Sequence, residues 1–134
     1  YKYQTENDWD VKNKNPKLIG QIPGQSRPFA ILSHDSLTHI YFATVPNYGM
    51  LGGAITSYNP TNGKLETFEV IKNQAPVSLT YLNKLIWGGT TTSGGLGINP
   101  SEKEGKLFCW DPQSKKVIFE TTPIPGIMAI TALI

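Results

Sequence analysis

The sequence predicts an all-β protein on three observations. Short runs such as "ITSY", "LETFEV" and "VIFET" alternate apolar and polar residues and are rich in β-branched and aromatic side chains, as half-buried strands are. No stretch of ten or more residues carries an apolar stripe at helical spacing, so almost no helix is expected. Similar segments also recur along the chain with a period of about 50 residues. The 134 residues, 39% hydrophobic and 16% charged, suffice for one domain with a core and do not fit a disordered tail.

The repeat can be followed element by element. "RPFAILS" (27–33) aligns with "APVSLTY" (75–81) and with "GIMAITA" (126–132). "HIYFAT" (39–44) aligns with "KLIWGG" (84–89), and "AITSYNPTNGKLETFEV" (54–70) with "LFCWDPQSKKVIFET" (107–121). Trp9-Asp10, Tyr58-Asn59 and Trp110-Asp111 are then equivalent. Each full unit holds four runs, A to D. In the first they are Pro28–Ser33, His39–Thr44, Gly53–Tyr58 and Leu65–Ile71. In the second they are Val77–Leu82, Lys84–Gly89, Lys106–Trp110 and Lys116–Thr121. "FAILS" and "IMAITALI" are continuously apolar, as a strand covered on both faces would be. Between C and D, "YNPTNGK" and "WDPQSKK" predict hairpin turns. The Asn or Asp caps turn backbone, proline sets φ for a type I turn, and Gly63 supplies a positive φ.

Four antiparallel strands in about 50 residues make one blade of a β-propeller. Residues 1–22 then read as strands C and D of one blade, 27–72 and 75–121 as full blades, and 126–134 as strand A of a further one. A ring needs at least four blades, so the expectation is an incomplete ring cut from a longer protein. Alternatively, neighbouring copies share a blade and self-associate through open blade edges.

The aromatic-(Asp/Asn)-Pro-x-x-(Gly/Lys)-Lys end of strand C, seen at 58–64 and 110–116, resembles bacterial propeller repeats of the quinoprotein-like, lactonase-like and YVTN types. The likeness spans roughly residues 18–134 and implies a propeller fold; it rests on blade-building residues and implies no single activity. The Gly-rich segments "ATVPNYGMLGGA" and "GGTTTSGGLGINP" also resemble repeats of large secreted bacterial proteins that carry carbohydrate-active modules, which implies a secreted or cell-surface setting.

Charge and motifs exclude several function classes. The net charge of +2 is spread along the chain, and Arg27 is the one arginine, so neither nucleic acid nor an anionic membrane is an expected partner. No apolar run approaches the length of a membrane span. Cys109, between Phe108 and Trp110, reads as a buried strand thiol with no activating neighbour. "GGTTTSGGLG" (88–97) has no Gly-Lys-Ser/Thr, no G-x-G-x-x-G and no following helix. Its glycines are therefore expected to serve turns and close packing. His34-Asp35-Ser36 reads as a turn, not a triad, because triads assemble in space. "EKE" (102–104) reads as a solvated loop tip. No residue pattern calls for a metal or a cofactor.

In propellers the B–C and D–A links share one face around the channel mouth, and long loops there tend to contact ligands. Those links supply the candidate binding residues Gln25, Arg27, Asn47, Tyr48, Gln74, Thr91, Thr92, Ser93 and Asn99. Tyr with Asn, Gln and Arg offers a flat apolar ring beside paired donors and acceptors, a set suited to a glycan or a protein ligand. Two function classes follow: a non-catalytic binding or scaffold module, and a piece of a propeller enzyme such as a lactonase-like hydrolase or polysaccharide lyase. The second needs carboxylates, His or a metal near the channel. The assigned loop face has only Glu102 and Glu104, which favours the first.

Overall fold

The computed structural model describes residues 1–134, which form strands, turns and loops without helix. Eight strands follow in order: β1 (Gln25–Leu32), β2 (Ile40–Pro46), β3 (Ala54–Tyr58), β4 (Leu65–Glu69), β5 (Ala75–Leu82), β6 (Leu85–Thr91), β7 (Leu107–Asp111) and β8 (Lys116–Thr121). They make two sheets of four antiparallel strands, β1-β2-β3-β4 and β5-β6-β7-β8, each a simple up-and-down meander.

The two sheets share the bulge in their first strand, although β1 has a further shift at Gln25/Arg27 and the β7–β8 pair one at Cys109/Trp110. In β1, Pro28 pairs with Thr44 and Ala30 with Ala43, leaving Phe29 as a bulge. In β5, Pro76 pairs with Thr90 and Ser78 with Gly89, leaving Val77 in the same position. Proline fits an edge strand, whose outer N–H groups have no ladder to join. Both C–D turns close as the sequence predicts. Asn59 Oδ1 accepts from the Thr61 N–H at 2.9 Å, and Asp111 Oδ1 accepts from the Gln113 N–H at 2.9 Å. Gly63 has φ 75°, and at the equivalent place Lys115 is forced to φ 58°, which glycine adopts far more readily. Between β5 and β6 the turn is Asn83-Lys84, with φ 53° and 67°, the conformation of a type I′ hairpin.

Cross-strand pairing sets the faces. Tyr41, Ser57 and Glu66 stand in one row, and Ala43, Ile55 and Phe68 in the next. This face packs on Ile86, Phe108 and Trp110 of the second sheet. The Trp110 ring lies 5.7 Å from Tyr41, edge-on, and 5.3 Å from Phe68. Each fully buried large side chain here contributes about 1.5–3 kcal/mol. Phe108 lies flat across β6 only because its partner there is Gly88, where a Cβ would stand 2.2 Å from the ring. At the rim, Lys115 Nζ reaches across to Glu66 Oε2 at 3.0 Å.

The junction between units also repeats. Gly53 donates to Gln74 O at 3.0 Å, and Gly105 donates to Ile127 O at 2.8 Å. The second contact brings in the C-terminal segment, which runs antiparallel along the end of β6 through a Thr91–Ala129 bridge. Residues 126–134 thus form one bridge and no strand. Residues 1–22 also differ from two full strands: they hold the isolated bridges Lys2–Lys17 and Asp10–Asn15. The reason is local. Buried Asn15 donates its side-chain amide to the carbonyls of Gln4, Asn7 and Asp8, drawing the backbone into a loop around itself.

Candidate functional site

Three of the loop-face residues come together. Gln25, Arg27 and Asn47 line a cleft of about 750 Å³ between the N-terminal segment and the outer side of the first sheet, with Leu18, Phe42 and Leu65 as its apolar wall. Arg27 is exposed, and its guanidinium sits 5.1 Å from the centre of the Phe29 ring. Asn47 is anchored through its backbone, donating to Gly24 O at 3.0 Å, which leaves its side chain free. Gln25 is half-engaged: its Oε1 accepts from Thr44 Oγ1 at 3.0 Å.

The equivalent glutamine is closed to a ligand. Gln74 is 1% exposed; its Oε1 accepts from Thr90 Oγ1, and its Nε2 donates to Glu104 O at 3.0 Å. Gln25–Thr44 and Gln74–Thr90 are thus one latch used twice, tying the segment before strand A to strand B. Tyr48 stands apart from the cleft. It is exposed and covers Gly97 of the second long loop, while the Gly49 N–H donates to Leu96 O at 2.7 Å. The two long B–C loops therefore pack on each other. Thr91 Oγ1 caps the Ser93 N–H at 3.2 Å, Thr92 is buried, and Asn99 is exposed on the loop. Glu104 does more than a solvated tip would: its carboxylate accepts from the Gly126 N–H at 2.7 Å, stapling the loop to the C-terminal segment.

The titratable groups stand dispersed. No group of three or more His, Cys, Asp or Glu side chains converges within reach of one metal ion. Burial, helped by the nearby Asp111, pushes the Cys109 thiol up, which disfavours the thiolate. His34 Nδ1 accepts from the Ser36 N–H at 3.1 Å, so His34 and Ser36 are joined as a turn.

Comparison with protein-family models, curated proteins and solved structures finds no match.

A second concavity lies on the other side. Between the sheets, where the A–B and C–D turns gather, a groove of about 790 Å³ is lined by Tyr41, Ser57, Glu66, Tyr81, Lys84 and Lys115, among others. None of the candidate binding residues of the B–C and D–A links lies here. The only signal available was strand alternation, which puts Tyr41 and Ser57 on one face without saying that a second sheet stops short of covering them.

Proposed function

We propose that this chain is a stretch of β-propeller serving as a non-catalytic binding or scaffold module. The observation that carries the reading is the repeated junction. The Gly53 N–H donates across to Gln74 O and Gly105 makes the matching bond to Ile127 O, while the Gln–Thr latch and the bulge after proline recur inside each sheet, which supports an array of like sheets. Such an array grows into a ring when further sheets, or sheets of neighbouring copies, cover its outer faces. Phe29 and Ile31 on one side, and Ile118 and Phe119 on the other, are exposed apolar groups of the kind a further sheet would bury.

The ligand of this module, a glycan or a protein, is received at the cleft of Gln25, Arg27 and Asn47. A glycan array probed with the wild-type chain and with Arg27→Ala tests this. Binding that falls about tenfold or more in the variant supports the cleft, since a lost hydrogen bond to a charged group is worth about that much. Equal binding by both proteins, or a blank array together with no captured protein partner, refutes it. Light scattering on a sizing column tests the stacking: a single closed species of several copies is the outcome expected if copies complete one another.

A further inference from the structure

We propose that the cleft between the N-terminal segment and the first C–D turn is an anion site, and that it takes a sulfate or phosphate group, free or as the ester of a small ligand. Backbone pairing carries the argument. Lys2 and Lys17 are cross-strand partners: each N–H donates to the other's carbonyl at 2.8 Å. Residues paired in this way stand roughly 5.5 Å apart at Cα, with their side chains on the same face. Two ammonium groups are thus held side by side, an arrangement that is destabilising by itself. Lys14, exposed and held at φ 60°, brings a third to the same cleft. The three form no basic block in the sequence; the fold gathers them.

Nothing in the protein offsets these charges. The ion pairs of the molecule belong to Lys64, Lys106 and Lys115. No Asp or Glu lines the cleft. Asp10, the acid closest to Lys14 in sequence, is turned into its own loop. It accepts from the Lys12 and Asn13 N–H groups at 2.9 and 3.2 Å and from the Asn13 side chain at 2.6 Å. The second unit shows the alternative. Tyr58, Pro60 and Gly63 of the lysine cleft correspond to Trp110, Pro112 and Lys115 of the groove one unit on, and there Lys115 meets Glu66 at 3.0 Å. The same junction is neutralised within the chain in one unit and left positive in the other. A cleft of one sign attracts the opposite one. Three ammonium groups also match the three free oxygens of a sulfate or phosphate ester, since each ammonium acts as a point charge with several donors. The volume of about 580 Å³ lies within the usual range of small-molecule sites, about 300–1,000 Å³.

The test is a two-dimensional NMR titration of the wild-type chain with sodium sulfate, sodium phosphate, galactose sulfate and glucose phosphate, at an ionic strength held constant with sodium chloride. The expected result is saturable amide shifts at Lys2, Lys14, Lys17 and Tyr58. Binding should be about threefold to tenfold weaker in Lys2→Gln and in Lys17→Gln, whose amide spectra show that they are folded. Lys103→Gln, which removes one charge from an exposed loop tip, should bind as the wild type does. The ester that binds more tightly names the source, a sulfated glycan or a phosphorylated small molecule. Without anion, Lys2→Gln should melt above the wild type, because one of two facing charges is gone; in saturating sulfate it should melt below it. The proposal is overturned if the oxyanions shift nothing that chloride does not, or if the shifts map to Arg27 and Asn47. It is also overturned if Lys103→Gln weakens binding as much as Lys17→Gln does, or if the melting order is the same in both media.

Discussion

Strands β1 and β5 have the same role, the same bulge and nearly the same apolar pattern, yet one is bare and the other buried. In β1 the bulged Phe29 is 52% exposed and Ile31 65% exposed. In β5 the bulged Val77 is 7% exposed, and Ala75, aligned with Arg27, is fully buried. Nothing in the two segments themselves accounts for this. The difference lies in their neighbours: β5 packs against β1, β2 and β3 of the first sheet, and its Ser78 Oγ donates to Ile130 O of the C-terminal segment at 2.8 Å. β1 also meets β5, but no further sheet lies against its Phe29 and Ile31, which stay exposed. Burial in this architecture is a property of the stack, and each sheet borrows half its core from the one before it.

The sharpest way to break the comparison is at the sheet interface. Trp110 and Tyr58 are equivalent residues, but Trp110 is wedged between two sheets while Tyr58 faces the N-terminal loop. Trp110→Ala should cost about 3–5 kcal/mol, read from the midpoint of urea unfolding, and Tyr58→Ala distinctly less. Equal losses would mean that the N-terminal loop covers its sheet as well as a second sheet does.

Next in size is the junction. A Cβ on Gly53 would stand 2.1 Å from Thr44 O and 2.8 Å from Ala75 Cα, whereas one on Gly105 would stand 2.9 Å from Thr90 O. Gly53→Ala should therefore cost about 1–3 kcal/mol by forced backbone movement, and Gly105→Ala less, because the C-terminal segment has more freedom to yield. Thermal unfolding of the two variants ranks them directly.

The third prediction goes to the strands themselves. Val77→Ala removes two buried methyl groups and should cost about 1.6 kcal/mol. Phe29→Ala should stay within about 0.5 kcal/mol in the isolated chain, as exposed substitutions do. If copies stack and cover β1, the wild type instead gains stability as protein concentration rises and the Phe29 variant gains less, so the variant's deficit grows and the asymmetry between β1 and β5 shrinks.

How much of this was legible beforehand follows from the same contrast. Local chemistry was: "YNPTNGK" and "WDPQSKK" fold as the capped turns their Asn, Asp and Pro dictate, and all eight strands fall within a few residues of the alternating runs. Coverage was not. Alternation assigns Tyr41 and Ser57 to one face but does not tell how far the neighbouring sheet extends over them, so the groove went unread. The Gln before each strand A was read as a ligand contact in both units. In the second, the stack closes over Gln74 and turns it into an internal latch, while Gln25 remains at an open cleft. At the N terminus, "ENDWDVKNKN" carries the turn signal of a C–D hairpin, and Asp10 does cap Lys12 and Asn13. The strands around it fail to form because Asn15 competes for the same carbonyls, a side-chain choice invisible to pattern.

The smallest effect distinguishes the two C–D turns by charge. The Asp111 carboxyl is held below the usual aspartate range by the Ser114 hydroxyl and by the Gln113 N–H. Asn59 makes the same turn without a charge. A carboxyl whose pKa is depressed on folding stabilises the fold above its unfolded value, about 4. That contribution is lost as the pH falls through the lower, folded value. Asp111→Asn, which copies the first turn into the second, should thus leave a turn of similar geometry. It should also flatten the decline in melting temperature between about pH 5 and pH 3. The reciprocal change, Asn59→Asp, should steepen that decline, because the same backbone donors at Thr61 and Asn62 await the new carboxylate. If the two substitutions move the acid limb in the same direction, the turns are not equivalent, and the repeat ends at the strands and does not extend into the links between them.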